Sequence, residues 1–189
     1  MSAERPLFIP VILGTPRQGR MSEHAARFVL GEVRKREGVE TELIDVRELP
    51  LPARDEGGAI KDEGFSRAVS RADALVIVTP EYNHGYPGML KHALDTNLKE
   101  YVHKAVGVCG VSAGGFGGTR VIENLLPVLR ELGLVAIFWD LNFSGVGKVF
   151  DPATGALLDE SYVKRADKFL GELVWMAKTL RHGRENVSI

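Results

Sequence analysis

Residues 74–83 read ALVIVTPEYN, an unbroken apolar run of five residues followed by a short, mostly polar segment. Such a run is typical of a strand buried on both faces of a parallel sheet, because helices cover both sides of that kind of sheet. The residues that follow directly lie at the carboxyl end of the predicted strand. Ligands of open parallel sheets bind beyond that edge. This stretch therefore predicts the class of fold and the edge where a site belongs.

Strand-like and helix-like patterns alternate on both sides of this run. The other predicted strands are 7–13, 41–46, 105–111 and 134–139, and the predicted helices are 22–36, 65–72, 87–98, 119–132 and 159–180. Strands separated by helices form βαβ units, and their right-handed crossovers give a doubly wound sheet. We therefore expect one α/β domain over residues 1–189, with five parallel strands and helices on both faces.

Composition excludes several classes of protein. The chain has 24 Lys+Arg and 25 Asp+Glu, a formal net charge of −1, which argues against a protein built mainly to bind nucleic acid or an anionic membrane. No apolar stretch approaches the ~18 residues of a membrane span. The single cysteine, Cys109, falls in an apolar run, which predicts a buried thiol, and it cannot form an internal disulfide. We expect a soluble, cytoplasmic protein.

The loop after the first predicted strand, residues 14–22, has the features of an anion site. It leads into a helix, whose free N–H groups attract anions, and Arg17 and Arg20 add two positive charges. Ser22 is the predicted N-cap. The glycine spacing approaches that of a P-loop, but the lysine and the following hydroxyl residue are missing after Gly19. The loop thus favours a phosphate monoester over a triphosphate, with an ordinary βα turn as the alternative.

Two further loops follow the third and fourth predicted strands. Residues 79–91 contain two tyrosines, two prolines and two glycines, which suit a rigid platform for a flat ring. Residues 110–119 contain five glycines, which let backbone amides approach a ligand closely. The alternatives are a rigid connection with tyrosines packed on a neighbour, and a flexible loop. A phosphate site, a ring platform and a glycine wall at one edge together fit FMN.

The stretches GTPR at 14–17, PEYN at 80–83 and SAGG at 112–115 together resemble the NADPH-dependent FMN reductase family, which includes quinone, azo-dye and chromate reductases. The resemblance covers about residues 9–180. It implies a flavodoxin-like fold with strand order 2-1-3-4-5. It also implies that FMN is the cofactor.

The resemblance also implies which residues hold the cofactor. The FMN phosphate is expected on Thr15, Arg17, Gly19, Arg20, Met21 and Ser22. The isoalloxazine ring is expected against Pro80, Glu81, Tyr82 and Asn83, with Ser112, Ala113, Gly114 and Gly115 at its other edge.

The implied activity is that of an FMN-dependent NAD(P)H oxidoreductase with ping-pong kinetics. NADPH, or NADH, would give a hydride to flavin N5, and a quinone, azo compound, metal oxyanion or free flavin would then take two electrons. This chemistry needs no side-chain acid or base, so we name no catalytic residue. The five histidines lack metal-ligand spacing, so we name no metal ligand. Relatives are typically dimers or tetramers, which implies a homo-oligomer with FMN near the interface.

Two other functions are consistent with the same loops. One is a flavodoxin-like electron carrier or a flavin-dependent partner-binding protein without enzymatic activity. The near-neutral charge and the two arginines of the first loop disfavour a dedicated carrier. The other is a phosphate-ester hydrolase, which lacks an obvious nucleophile–base pair and an acidic metal cluster in this sequence.

Overall fold

The computed structural model describes residues 5–52 and 61–188. Its strands are β1 (Leu7–Phe8), β2 (Val11–Leu13), β3 (Val39–Glu40), β4 (Leu43–Asp45), β5 (Ala74–Pro80), β6 (Lys104–Val111), β7 (Leu134–Ala136) and β8 (Leu141–Phe143). Its α-helices are α1 (Ser22–Arg34), α2 (Glu63–Arg71), α3 (Gly88–Asp95), α4 (Thr119–Glu131), α5 (Val146–Val149) and α6 (Ser161–Asn186). A 3₁₀ turn covers Lys99–Tyr101.

The strands form a parallel sheet in the order β4-β2-β5-β6-β7, and β8 pairs in parallel with the end of β6. The short strands β1 and β3 pair beside it, also in parallel. Pro10 separates β1 from β2, since proline has no backbone N–H to donate to a ladder. The predicted order 2-1-3-4-5 is confirmed for the five predicted strands. The first of them is divided into β1 and β2, and the short strands β3 and β8 were not predicted.

Helices cover both faces of the sheet, as the sequence predicts. All seven residues of β5 are buried, with Val76 and Val78 in the core beneath α1 and α6. Leu75 and Ile77 lie in the opposite core, beneath α2, α3 and α4. Alternate side chains of one strand thus contribute to two separate cores, which accounts for the continuous apolar run in β5.

Several predicted boundaries are wrong, among them the end of the third helix, which lies at Asp95 rather than at residue 98. The fifth strand ends at Ala136 rather than Trp139, because the chain leaves the sheet after Ile137 and returns only as β8. Phe138 is 79% exposed in that excursion. Ser22 is the first residue of α1 and not its N-cap; Met21 takes the cap position in a helical conformation, with no side-chain hydrogen bond to the helix.

The last helix, α6, is longer than predicted and reaches Asn186. It packs its apolar face on β6 and on α1. Within the described ranges, no helix combines the length and the apolar character needed to cross a bilayer.

Cys109 lies in the middle of β6 and is fully buried, as predicted. Burial in the core raises the pKa of its thiol well above the ordinary value. The thiol is therefore held in its protonated, unreactive form.

Lys104 begins β6 at the opposite edge of the sheet from the predicted site, and it is 6% exposed. Its Nζ donates to the carbonyl oxygens of Val69 (2.6 Å) and Ser70 (2.7 Å) near the end of α2. Burial, followed by the positive charge of Arg184, lowers the pKa of Lys104 to about 8. Lysine in an unfolded chain titrates near 10.4.

We expect Lys104 to make folding stability rise with pH in an alkaline window. Between about pH 8 and about pH 10.5 the folded protein has released this proton and the unfolded chain still holds it, so unfolding takes up a proton. The free energy of unfolding should therefore rise with pH there, by up to about 1.4 kcal/mol per pH unit. Urea unfolding of the wild type and of Lys104→Met, compared at each pH, measures this contribution.

The exposed Lys99 supplies the control, because Lys99→Met removes the same charge without removing a buried amine. The free energy of unfolding of the wild type minus that of Lys104→Met should rise with pH. The same difference taken for Lys99→Met should not change with pH. A constant difference for both variants would contradict the depressed pKa.

Candidate functional site

A cavity of about 400 Å³ lies at the carboxyl edge of the sheet, where β2, β5 and β6 end. That volume is in the range of small-molecule and cofactor sites. The cavity brings together residues from all three loops singled out in the sequence. Its lining consists of Arg17, Gln18, Gly19, Arg20, Met21, Ser22, Pro80, Glu81, Tyr82, Val111, Ser112, Ala113 and Val146.

Four of the predicted cofactor residues are not part of this lining. Thr15 is buried behind the wall, with its Oγ1 3.1 Å from the hydroxyl of Tyr82. Asn83, Gly114 and Gly115 are exposed on the loops beside the cavity.

Three lining residues were not predicted. Gln18 and Val111 are neighbours of predicted residues and could have been included on that ground. Val146 is distant in sequence from all three loops, and it reaches the cavity because its backbone N–H donates to the Ser112 carbonyl at 3.0 Å. No local pattern in the sequence predicts that contact.

The start of α1 faces the cavity, and no side chain of the described residues caps it. Its first turn is tightened by two backbone bonds, from the Glu23 N–H to the Arg20 carbonyl (3.2 Å) and from the His24 N–H to the Met21 carbonyl (3.1 Å). Ser22 lines the cavity, and its Oγ is buried without a hydrogen-bond partner in the described part of the chain. Buried hydroxyls in proteins are nearly always hydrogen-bonded. A phosphate group with acceptor oxygens at this position would satisfy Ser22 and the helix start together.

The two arginines of this loop have different surroundings. The guanidinium of Arg20 is buried and donates to the Thr15 carbonyl and to the carboxylate of Asp45, with 2.9 Å between Nη1 and Oδ1. Its Nε also lies 3.4 Å from an oxygen of Glu23. Within the fold, these acidic groups therefore balance the positive charge of Arg20.

Arg17, in contrast, is exposed, and its Cζ lies 5.7 Å from the centre of the Tyr82 ring. It forms no ion pair with any residue in 5–52 or 61–188. Its charge is therefore available to an anion in the cavity, whereas the charge of Arg20 is already balanced by Asp45 and Glu23.

Arg47 holds the same loop from outside, a role that the sequence analysis missed. Its Nε donates to the Pro16 carbonyl at 3.0 Å, and its Nη2 donates to the Arg17 carbonyl at 2.8 Å. Its backbone N–H donates to Asp45 at 2.9 Å. A basic residue just after a strand that ends at this edge is the only sequence signal for it. Arg47 ties the first loop to the end of β4.

The loop after β5 is a fixed platform. Tyr82 and Gly85 exchange two backbone hydrogen bonds of 2.9 Å, and the residues between them, Asn83 and His84, have φ values of 48° and 67°. This is a two-residue turn with left-handed backbone at both central positions, as in type I′ turns. Asn124 of α4 donates to the His84 carbonyl at 2.8 Å. The turn is therefore anchored to a neighbouring helix.

The glycine-rich loop after β6 is anchored to the segment that follows β8. The Ser112 N–H donates to the Phe143 carbonyl at 3.1 Å, and the Gly145 N–H donates to the Gly114 carbonyl at 2.9 Å. At the other end of the loop, Gly118 has a φ of 80°. A Cβ there would lie 2.6 Å from the backbone nitrogen of Val111. Only glycine fits so close to β6 in that conformation.

Comparison with known proteins gives the chemical context for this geometry. The sequence profile of the NADPH-dependent FMN reductase family matches residues 8–144. A quinone reductase of Escherichia coli (strain K12) is 30% identical over 177 residues, which are 88% of this chain and 92% of that protein. An FMN-dependent NADPH-azoreductase of Staphylococcus haemolyticus is 29% identical over 177 residues, 87% of this chain and 92% of that protein.

A solved structure supports the same fold. The chain is similar to the flavoenzyme NAD(P)H:(acceptor) oxidoreductase FerB of Paracoccus denitrificans, with a TM-score of 0.74 and 23% sequence identity. The similarity covers 91% of this chain and 98% of that one.

Proposed function

Because the chain belongs to the NADPH-dependent FMN reductase family, we propose that FMN binds in the 400 Å³ cavity and that a small acceptor is reduced there in a ping-pong cycle. Membership of the family makes the protein an oxidoreductase with FMN as cofactor and NAD(P)H as donor. The observation that carries the proposed site is the hydroxyl of Ser22 at the start of α1, which is buried and has no hydrogen-bond partner among residues 5–52 and 61–188.

The phosphate of FMN is proposed to lie on the first loop. Ser22 supplies a hydroxyl donor at the start of α1, and Arg17 supplies a positive charge that no described residue pairs. Arg20, with its charge already balanced by Asp45, is proposed to shape this loop from within and to offer the ligand its backbone. Thr15 is proposed to act indirectly, through its contact with Tyr82.

The ring of FMN is proposed to lie between the other two loops. On one side are residues 80–83, of which Pro80, Glu81 and Tyr82 line the cavity. On the other side are residues 112–115, of which Ser112 and Ala113 line it. Asn83, Gly114 and Gly115 are proposed to contact the outer edge of the ring.

Bound FMN supplies the centre that accepts a hydride from NAD(P)H and returns two electrons to an acceptor. The residues of the chain bind and orient the ring, through a platform fixed by the Tyr82–Gly85 turn and by Asn124. Positioned backbone N–H groups offset negative charge on a bound ligand without side-chain proton transfer. We therefore assign no acid or base to this cavity.

The donor and the acceptor are proposed to use the same open side of the ring in turn, which gives ping-pong kinetics. A quinone or an azo compound is the proposed acceptor class, supported by the quinone reductase and azoreductase among the relatives. Metal oxyanions and free flavin belong to the same proposal, as small oxidants that could enter the cavity.

We also propose a single domain that assembles as a homodimer or homotetramer in the cytoplasm, with the flavin near an interface. Phe116 supports such an assembly, because its side chain is 63% exposed on the loop that borders the cavity. The near-neutral net charge disfavours binding to nucleic acid or to an anionic membrane, so the proposed partner is a small molecule.

The visible absorption spectrum of the purified protein tests the proposal. We expect flavin bands in the near-ultraviolet and blue that bleach when NADPH or NADH is added without oxygen and return when a quinone follows. Initial rates at varied NADPH and several fixed quinone concentrations should give parallel double-reciprocal lines. Intersecting lines contradict the ping-pong cycle. Bands that neither nucleotide bleaches indicate an electron carrier, and no bands after incubation with FMN contradict the proposed site.

A further inference from the structure

Glu81 places a carboxylate in the wall of the cavity. It follows β5 directly, and its backbone N–H donates to the Val111 carbonyl at 3.0 Å. Its side chain is 10% exposed, and its Oε2 is buried without a hydrogen-bond partner in the described residues. A buried carboxylate oxygen with no partner is costly, so its presence beside a cofactor cavity calls for a physical role.

The charge of Glu81 is balanced from one side only. Arg120, in the first turn of α4, places its Nη1 3.4 Å from Oε1 of Glu81, at the long limit for a hydrogen bond. The guanidinium carbon lies 4.3 Å from the ring centre of Phe116, and the Arg120 side chain is 41% exposed. Within the described ranges, Arg120 is the only cation paired with Glu81.

The ion pair is not needed to hold the loop in place. The backbone of this loop is fixed by the Glu81–Val111 bond, by the two bonds between Tyr82 and Gly85, and by Asn124 at the His84 carbonyl. Asn124 itself belongs to α4, one turn beyond Arg120. The remaining effect of the Glu81–Arg120 pair is therefore electrostatic, on whatever occupies the cavity.

We propose that Glu81 and Arg120 set the reduction potential of the bound flavin with opposite signs. Hydride transfer from NAD(P)H moves two electrons and one proton to the ring system, which then carries one more negative charge. The Glu81 carboxylate disfavours that charge and lowers the potential, and the Arg120 guanidinium favours it and raises the potential. This inference depends on FMN occupying the cavity as proposed above.

Midpoint potentials of the FMN-loaded variants test the proposal. Arg120→Met should lower the potential and Glu81→Gln should raise it, each by at least a tenfold change in the equilibrium between reduced and oxidised flavin. For a two-electron couple, a tenfold change corresponds to about 30 mV. Arg120→Lys keeps the charge and should restore a value close to the wild type. If Arg120→Met fails to fold, Arg120→Gln carries the same expectation.

Arg130→Met is the matched control, since it removes an exposed arginine from the other end of the same helix. It should leave the potential unchanged. Shifts of the same sign for the Glu81 and Arg120 variants, or shifts below twofold, overturn the inference and leave FMN binding at the site intact. A wild-type protein that binds no FMN overturns the proposed function together with the inference.

Discussion

Replacing Arg17 with methionine is expected to weaken FMN binding about 10- to 100-fold and to leave riboflavin binding within about threefold of the wild type. The two ligands differ only in the phosphate. Arg17 is the exposed cation of the first loop, and it has no ion pair with a described residue. Hydrogen bonds to a charged group contribute about 1.5–3 kcal/mol, which corresponds to the expected loss. Fluorescence titration of the apoprotein with each ligand measures both affinities.

Arg34→Met provides the comparison, since it removes an exposed arginine from the opposite end of α1. The affinities of this variant for FMN and for riboflavin should match those of the wild type. Equal losses for FMN and riboflavin in Arg17→Met would mean that Arg17 acts on the ring or on the fold. The assignment of the phosphate to the first loop would then be wrong.

Replacing Gly118 with alanine is expected to destabilise the protein by about 2–5 kcal/mol. A φ of 80° is left-handed backbone, which costs a residue with a Cβ about 1–2 kcal/mol. The new Cβ would also lie 2.6 Å from the Val111 nitrogen and 2.8 Å from Gly110 backbone atoms, where a buried strand cannot yield locally. Overpacking of this kind costs about 1–3 kcal/mol more. Urea unfolding monitored by circular dichroism gives the loss directly.

The same loop offers a control with the same chemical change. Gly115 has open space where a Cβ would be placed, and its φ is not positive. Gly115→Ala should therefore change the free energy of unfolding by less than about 0.5 kcal/mol. If the two alanine variants unfold at the same urea concentration, a Cβ at position 118 does not destabilise the contact with β6, and the prediction is wrong.

The order of the elements could be predicted from the sequence because each strand and helix has its own local period. The apolar run of β5 is the clearest case, since burial on both faces leaves no polar position in it. The convergence of the three loops also follows, because the carboxyl ends of parallel strands share one edge. The class of fold therefore needed no knowledge of contacts between distant residues, whereas the strand order 2-1-3-4-5 was implied by the family resemblance.

The individual roles of the site residues could not be predicted in this way. Arg17 and Arg20 look equivalent in the sequence, and only the fold places Asp45 beside Arg20. Val146 enters the cavity through one backbone bond to a loop more than 30 residues earlier. Such pairings depend on tertiary structure, so no local pattern contains them.

The buried position of Cys109 makes the protein suitable for site-specific labelling. It is the only cysteine in the sequence, and a thiol held protonated inside β6 does not react with thiol-directed reagents while the protein is folded. A cysteine introduced at the rim of the cavity would then be the only reactive thiol. A fluorophore or spin label attached there would report on that one position, and Cys109 would not have to be replaced first.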